Sequence, residues 1–149
     1  MGKQTADSGT TRVLAQDLHS LAGKLKRRLR EQGSLGGDIS WSQIAVLRRL
    51  EQDGPATVST LARAEGMRPQ SMGAITAALE AAGLVDGVPH PTDGRQTILN
   101  LTAACREKLA ANRAARQDWL CRAIQTKLAS DEQDVLAQSI ALMQRLVEP

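Results

Sequence analysis

Residues 57–102 read TVSTLARAEGMRPQSMGAITAALEAAGLVDGVPHPTDGRQTILNLT, and the order of signals along them decides the fold. Val58, Leu61 and Ala62 recur at helical spacing, and Gly66 marks a turn. Pro69 suits the first position of a second helix, where its missing N–H costs nothing. That helix is expected to run to Ala82, with Gly83 in the left-handed position past its end. Leu84-Val85 and residues 96–101 are strand-like, joined by a loop over 87–94 that is long for a hairpin. Helix, turn, helix and wing is the layout of a winged helix-turn-helix, a fold that reads DNA. One count stands against it. The window holds three basic residues (Arg63, Arg68, Arg95) and four acidic ones (Glu65, Glu80, Asp86, Asp93).

At about 100° per residue, Met72, Ile75 and Leu79 fall on the inner face of the second helix. Gln70, Gly73, Ala74 and Ala77 then point outward, with Ser71 on the flank. A helix entering the major groove needs such a face, because bulky outward residues would hold its backbone off the bases. Gln pairs bidentately with adenine, Ala packs against a thymine methyl, and a Ser hydroxyl or a free helix-start N–H bonds phosphate. The plain alternative is an Ala-rich surface helix of good propensity and no partner. The turn, Pro69, Gly83 and the following wing favour DNA. In the wing, Asp93 and Arg95 stand two residues apart, so a hairpin arm would put both on one face, with Asp93 bracing Arg95. A braced Arg at a wing tip is drawn to the negative potential of the minor groove; as an isolated surface pair the two would contribute only ~0–1 kcal/mol.

Outward from this window, Leu14, Leu18, Leu21, Leu25 and Leu29 form one helical stripe over residues 12–32. The other faces carry Lys24, Lys26, Arg27, Arg28 and Arg30. Gly33 and the Gly36-Gly37 pair end that helix and open a loop. Ser40 and Gln43 form a capping box, with Ile39 and Ile44 at the staple positions of a helix burying Ile44, Leu47 and Leu50. Thr102 caps a long helix to about residue 129. Ser130 with Gln133 opens a last one, whose apolar face, from Val135 to Val147, is wider than one neighbour needs. Residues 1–10, small and polar, are expected to be a disordered tail, with residues 11–149 as one domain.

Composition bounds the rest. A chain of 149 residues with 42% hydrophobic and 23% charged residues can bury a core, but with no Phe or Tyr that core is aliphatic. A net charge of +3 permits a polyanionic partner without demanding one. No apolar run reaches the ~20 residues that span a bilayer, and the first residues lack a signal peptide's apolar stretch. A cytoplasmic location with no membrane partner is therefore expected. Cys105 and Cys121 on one helix would lie ~24 Å apart, too far to bond within a subunit. They read as buried or half-buried residues rather than redox sensors. His19, His90 and the two Cys have no zinc spacing, and no nucleophilic triad or phosphate loop occurs, so no enzyme, metal or cofactor is expected.

From about residue 42 to 128, and most closely over 68–101, the sequence resembles the MarR family of bacterial transcriptional regulators. The matching residues are Met67-Arg68-Pro69-Gln70-Ser71-Met72, Leu79-Glu80-Ala81-Ala82-Gly83-Leu84-Val85, Pro91-Thr92-Asp93-Gly94-Arg95 and Leu101-Thr102. The resemblance implies a mainly α fold with a small β-wing, six helices, and a homodimer intertwined through its N- and C-terminal helices. The winged helix-turn-helix core would occupy 40–101 and the dimerisation helices 11–32 and 103–147. It further implies double-stranded DNA with a pseudo-palindromic operator as partner, and often release by a small aromatic or phenolic effector. The candidate DNA-contacting set is Arg68, Gln70, Ser71, Gly73, Ala74, His90, Asp93 and Arg95; His19 and Trp41 are the candidates for an effector pocket. The rival reading is a dimer that kept the fold for protein interaction or ligand binding, with weak or no DNA binding.

Family members commonly carry Arg near the positions of Ala74, Ala78, Gly87 and Gly94, and an acid at that of His90. Here those charges are gone. Each missing phosphate contact lowers affinity and flattens its salt dependence. The expected outcome is a shallower slope of log K against log[salt] than that of a more basic relative, measured on the cognate duplex of each.

Overall fold

The computed structural model describes residues 3–35 and 38–149. Among them six helices and three short strands follow in the order α1 (Lys3–Glu31), α2 (Trp41–Asp53), β1 (Ala56–Thr57), α3 (Val58–Ala64), α4 (Pro69–Ala81), β2 (Val85–Pro89), β3 (Thr97–Leu101), α5 (Ala103–Lys127) and α6 (Ser130–Val147). The chain divides into two compact units, one over Ser34–Asn112 and one made of Met1–Gly33 with Arg113–Pro149. The winged core expected over 40–101 lies inside the first. Gly36 and Gly37, expected to open a loop, and residues 1–2 lie outside the described residues.

In the first unit the core is built from Val46, Leu47 and Leu50 of α2, Leu61 and Ala62 of α3, and Met72 and Leu79 of α4. Leu84, Val85, Leu99, Leu101 and Cys105 complete it, so the core is aliphatic as the composition required. Two positions differ from the periodicity. On α2 it is Val46 that is buried and Ile44 that is half-buried; on α4 Thr76 is buried and Ile75 only partly so. Thr76 fits inside because its Oγ1 donates to the Gly73 carbonyl at 3.0 Å, so its own hydroxyl is not buried unpaired.

The caps show why the elements start where they do. At α2 the Gln43 N–H donates to Ser40 Oγ (3.2 Å) and the Ser40 N–H to Gln43 Oε1 (2.8 Å), the expected capping box. Thr57 caps α3 through the N–H of Thr60. Thr102 Oγ1 accepts from the Cys105 N–H and donates to the Gly83 carbonyl at 2.8 Å, tying the start of α5 to the end of α4. The Ser130 cap is corrected: α6 begins from Ala129, whose N–H donates to Glu132 Oε2 at 2.8 Å. Glu132 wins over Gln133 because a carboxylate is the stronger acceptor and suits a helix start.

The sheet order is β1-β3-β2, antiparallel throughout, with Ala56 opposite Leu99 and Val85 opposite Leu101. β1 was not legible, since two residues make no period. β2 runs to Pro89, four residues past the expected Val85; the extension was not legible because Asp86 to Pro89 are all exposed and carry no apolar alternation.

In the second unit α1 begins at Lys3, which corrects the expected tail for residues 3–10. The Arg28 guanidinium lies 6.0 Å from the Trp119 ring centroid, within cation–π range. Val13, Leu14, Leu21 and Leu25 of α1 are exposed, as are Val135, Ile140, Leu142, Met143, Leu146 and Val147 of α6, and α6 buries no residue. Among the described residues no helix is long and apolar enough to cross a membrane.

Gly87 sits where β2 passes closest to its neighbours. A Cβ there would stand 2.5 Å from Thr97 Cγ2, 3.2 Å from Glu80 Oε1 and 3.4 Å from Leu99 Cδ2. The charge missing at this position is thus tied to packing in this chain. Gly87→Ala is expected to destabilise the fold by about 1–2 kcal/mol, as overpacking does, read as a lower urea midpoint at unchanged m-value.

Candidate nucleic-acid interface

The link between α3 and α4 is set by backbone chemistry. The Met67 N–H donates to the Ala62 carbonyl (2.8 Å) and the Gly66 N–H to the Arg63 carbonyl (3.3 Å), the paired closure of a Schellman motif. Gly66 takes φ 63°, a conformation costly for a residue with a Cβ. The same pattern closes α4, where Leu84 bonds Leu79 and Gly83 (φ 69°) bonds Glu80. Pro69 then starts α4 with Arg68 at the N-cap, which makes no side-chain cap bond.

A third element holds this turn, through a pairing sixteen residues apart that no local pattern announces. Arg49 of α2 donates from Nε (3.1 Å) and Nη2 (2.9 Å) to Glu65 Oε1, and from Nη1 (3.2 Å) to Asp53. Glu65 is the C-cap of α3. Hydrogen bonding to Glu65 first, then to Asp53, holds the Arg49 pKa above the ordinary guanidinium value.

On α4, Gln70, Ser71, Ala74 and Ala77 are exposed and Gly73 is half-exposed, the outward set expected from periodicity. Met72, Thr76 and Leu79 anchor the opposite side. The exposed surface is therefore flat, apolar at its centre, and polar at its N-terminal end.

The wing tip differs from expectation in its bracing. Residues 93–96 form a β-turn, not a strand arm, closed by the Gln96 N–H on the Asp93 carbonyl at 3.0 Å. Asp93 Oδ1 accepts from the backbone N–H of Arg95 (3.1 Å), and Oδ2 from Gln96 Nε2 (3.0 Å). Asp93 thus braces the turn that carries Arg95 rather than its side chain, an Asx-turn preference that outcompetes a surface ion pair. Gln96 was missed; an Asp followed three residues on by an amide was the available signal. His90 joins the same turn, its Nδ1 accepting from the N–H of Asp93 (3.1 Å) and of Thr92 (3.3 Å). His90, Asp93 and Arg95 are therefore brought together in one turn. The Arg95 side chain is exposed, and among the described residues its guanidinium has no partner.

These bonds reinterpret the charge count. Glu65 is neutralised by Arg49 from outside the window, while the Asp93 carboxylate, bonded to neutral amide donors, keeps its charge within the turn. Arg63, Arg68 and Arg95 are exposed, with no guanidinium partner among the described residues. Only Glu80 and Asp86 remain as exposed acids of the window.

The other candidates are placed individually. His19 is exposed on α1 and Trp41 is 56% exposed at the first position of α2. Cys105 is buried, and burial pushes its thiol pKa up; Cys121 is exposed, against expectation. Among the described residues no three His, Cys, Asp or Glu side chains are grouped to hold a metal ion.

A flat exposed second helix beside a turn that presents an arginine defines a winged helix-turn-helix protein. The sequence profile of the MarR family matches residues 39–97. The chain is 38% identical over 135 residues to an HTH-type transcriptional regulator of Mycobacterium bovis, covering 91% of this chain and 93% of that relative. Among solved structures it is similar to a Pseudomonas aeruginosa protein described as a transcriptional regulator, with TM-score 0.70 and 34% identity over 93% of this chain and 95% of that one. A mutant MarR of Escherichia coli shares the fold, with TM-score 0.65 and 22% identity over 91% and 96% of the two chains. The chain belongs to the MarR family, and it is a DNA-binding transcriptional regulator.

The turn's bonds to the Asp93 carboxylate have a pH consequence. The Gln96 amide, then the Arg95 N–H, lower the Asp93 pKa below the ordinary 3.8. A group depressed in this way stabilises the fold fully above its unfolded value and loses that contribution as pH falls through the folded one. Protection of the Arg95 amide, its slowing relative to the intrinsic exchange rate at the same pH, should therefore be constant near neutral pH and fall only below about pH 4. In Asp93→Ala that protection should be lost throughout.

Proposed function

We propose that this chain is a cytoplasmic, homodimeric repressor that binds a pseudo-palindromic operator and is released by a small aromatic or phenolic effector. The observation that carries the reading is the wing turn: Asp93, Gln96 and His90 satisfy one another and leave the Arg95 guanidinium exposed, with no partner among the described residues. Such an arginine suits the narrow minor groove, where the potential is most negative. Gln70, Ser71, Gly73 and Ala74 would face base edges in the adjoining major groove, with Arg68 on phosphate.

The exposed apolar faces of α1 and α6 support a second copy as partner, since soluble monomers rarely leave such area uncovered. Two copies would set recognition helices in half-sites about one DNA turn apart. An effector that favours one spacing over another would then change operator affinity by its differential affinity for the two states. His19 and Trp41 are the residues proposed to meet it.

The rival, a fold kept for protein or ligand binding, draws on Glu80 and Asp86, two exposed acids beside the proposed DNA face. A mobility shift with the DNA upstream of this chain's own gene separates the two. Arg95→Ala is expected to weaken specific binding by about 1–3 kcal/mol while leaving the thermal midpoint unchanged. Absence of binding by the unaltered chain at low salt would favour the rival.

A further inference from the structure

His90 is bonded inward, to the protein's own backbone. Its Nδ1 lies 3.1 Å from the Asp93 nitrogen, 3.3 Å from the Thr92 nitrogen and 3.3 Å from Thr92 Oγ1. Two backbone N–H groups aimed at one ring nitrogen leave it only the acceptor's role. The ring in this arrangement is therefore neutral and carries its proton on Nε2. A second pairing, the His90 N–H on the Gln96 carbonyl at 3.0 Å, closes the loop from the other side. The imidazole thus does for Thr92 and Asp93 what an N-cap oxygen does for the first N–H groups of a helix.

We propose that His90 is a positioning residue of the wing, whose uncharged ring holds the turn that presents Arg95, so that acid weakens DNA binding. The inference rests on the DNA-binding reading of this face. A protonated imidazole is a donor at both nitrogens, and it repels the two N–H groups it now accepts from. The charged groups around it are few. Asp93 and Arg95 share the turn, β3 has no charged residue, Asp86 lies at the other end of β2, and Glu80, the one charged residue of α4, lies beside Gly87. Protonation therefore draws the Asp93 carboxylate toward the ring and away from the Arg95 N–H, releasing both ends of the turn together.

The sign of the effect is what makes the proposal testable. A histidine that merely met phosphate would gain charge on acidification and tighten binding; a latch loosens it. Histidine is the side chain that changes charge between about pH 5 and 8, and this chain has two, His90 and His19. The experiment measures affinity for a duplex spanning the DNA upstream of the chain's own gene, at constant salt, from pH 7.5 to 5.5. His19→Gln serves as background, with and without His90→Asn, whose short side-chain carbonyl reaches the same N–H groups without titrating. The expected result is a loss of about fivefold across the range, the size typical of a lost cap, when His90 is present, and a flat profile with Asn. His90→Leu should be weaker at every pH.

Parallel profiles with His and Asn, or tightening in acid, overturn the proposal. The amide signals of Thr92 and Asp93 in the free chain give an independent reading. They should shift between pH 7.5 and 5.5 with His90 and not with His90→Asn, and amides that do not shift with His90 overturn the latch even where DNA is bound. Absence of duplex binding at any pH brings down the DNA-binding reading and this inference with it, whatever the amides do.

Discussion

The orientation of α4 depends on four residues of chain, 65–68, in which Gly66 adopts a left-handed conformation. Everything the protein presents to a duplex from its second helix follows from that turn. Its two backbone bonds fix where α3 stops, and Pro69 fixes where α4 begins. Arg49 adds a constraint from outside the helix pair, because it reaches from α2 to the residue that caps α3. The α3–α4 pair is thereby referred to α2 through one ion pair as well as through the shared aliphatic core. Half-exposed as it is, that pair contributes orientation more than stability. The wing repeats the logic at smaller scale, since side chains there are spent on backbone N–H groups so that one arginine is held outward.

Much of the winged core was readable because its signals are local. Glycines past the helix ends, Pro69 at a helix start, and the Ser40 and Thr102 caps each act within a few residues, and each appears in the structure where the sequence put it. What escaped was pairing across distance or competition between neighbours. β1 is two residues that gain meaning only opposite Leu99 and Ile98 of β3. The Arg49–Glu65 pair spans sixteen positions. Thr76 lies outside the apolar stripe, yet its hydroxyl, bonded to its own helix, is welcome in the core. At the wing, a spacing of two was taken for a strand, and Asp93 instead chose the nearer backbone donor.

The excess of acid in the window 57–102 loses most of its force once partners are assigned. A formal count treats every carboxylate as equally available to repel a duplex. Glu65 is paired with Arg49, so the acids left over, Glu80, Asp86 and Asp93, equal in number the arginines of the same stretch, Arg63, Arg68 and Arg95. Distribution, rather than total, decides what a polyanion would meet here.

The absence of Phe and Tyr has a practical corollary for anyone watching this protein fold. Its near-ultraviolet signal comes from Trp41 and Trp119 alone. Neither belongs to the buried cluster of the winged unit: Trp41 is largely open to solvent at the first turn of α2, and Trp119 lies beside Arg28 in the other unit. Intrinsic fluorescence is therefore almost blind to the aliphatic interior that carries α4. An emission change on adding a ligand or a partner would report the surroundings of Trp119 and the start of α2, leaving the aliphatic interior around α4 optically dark.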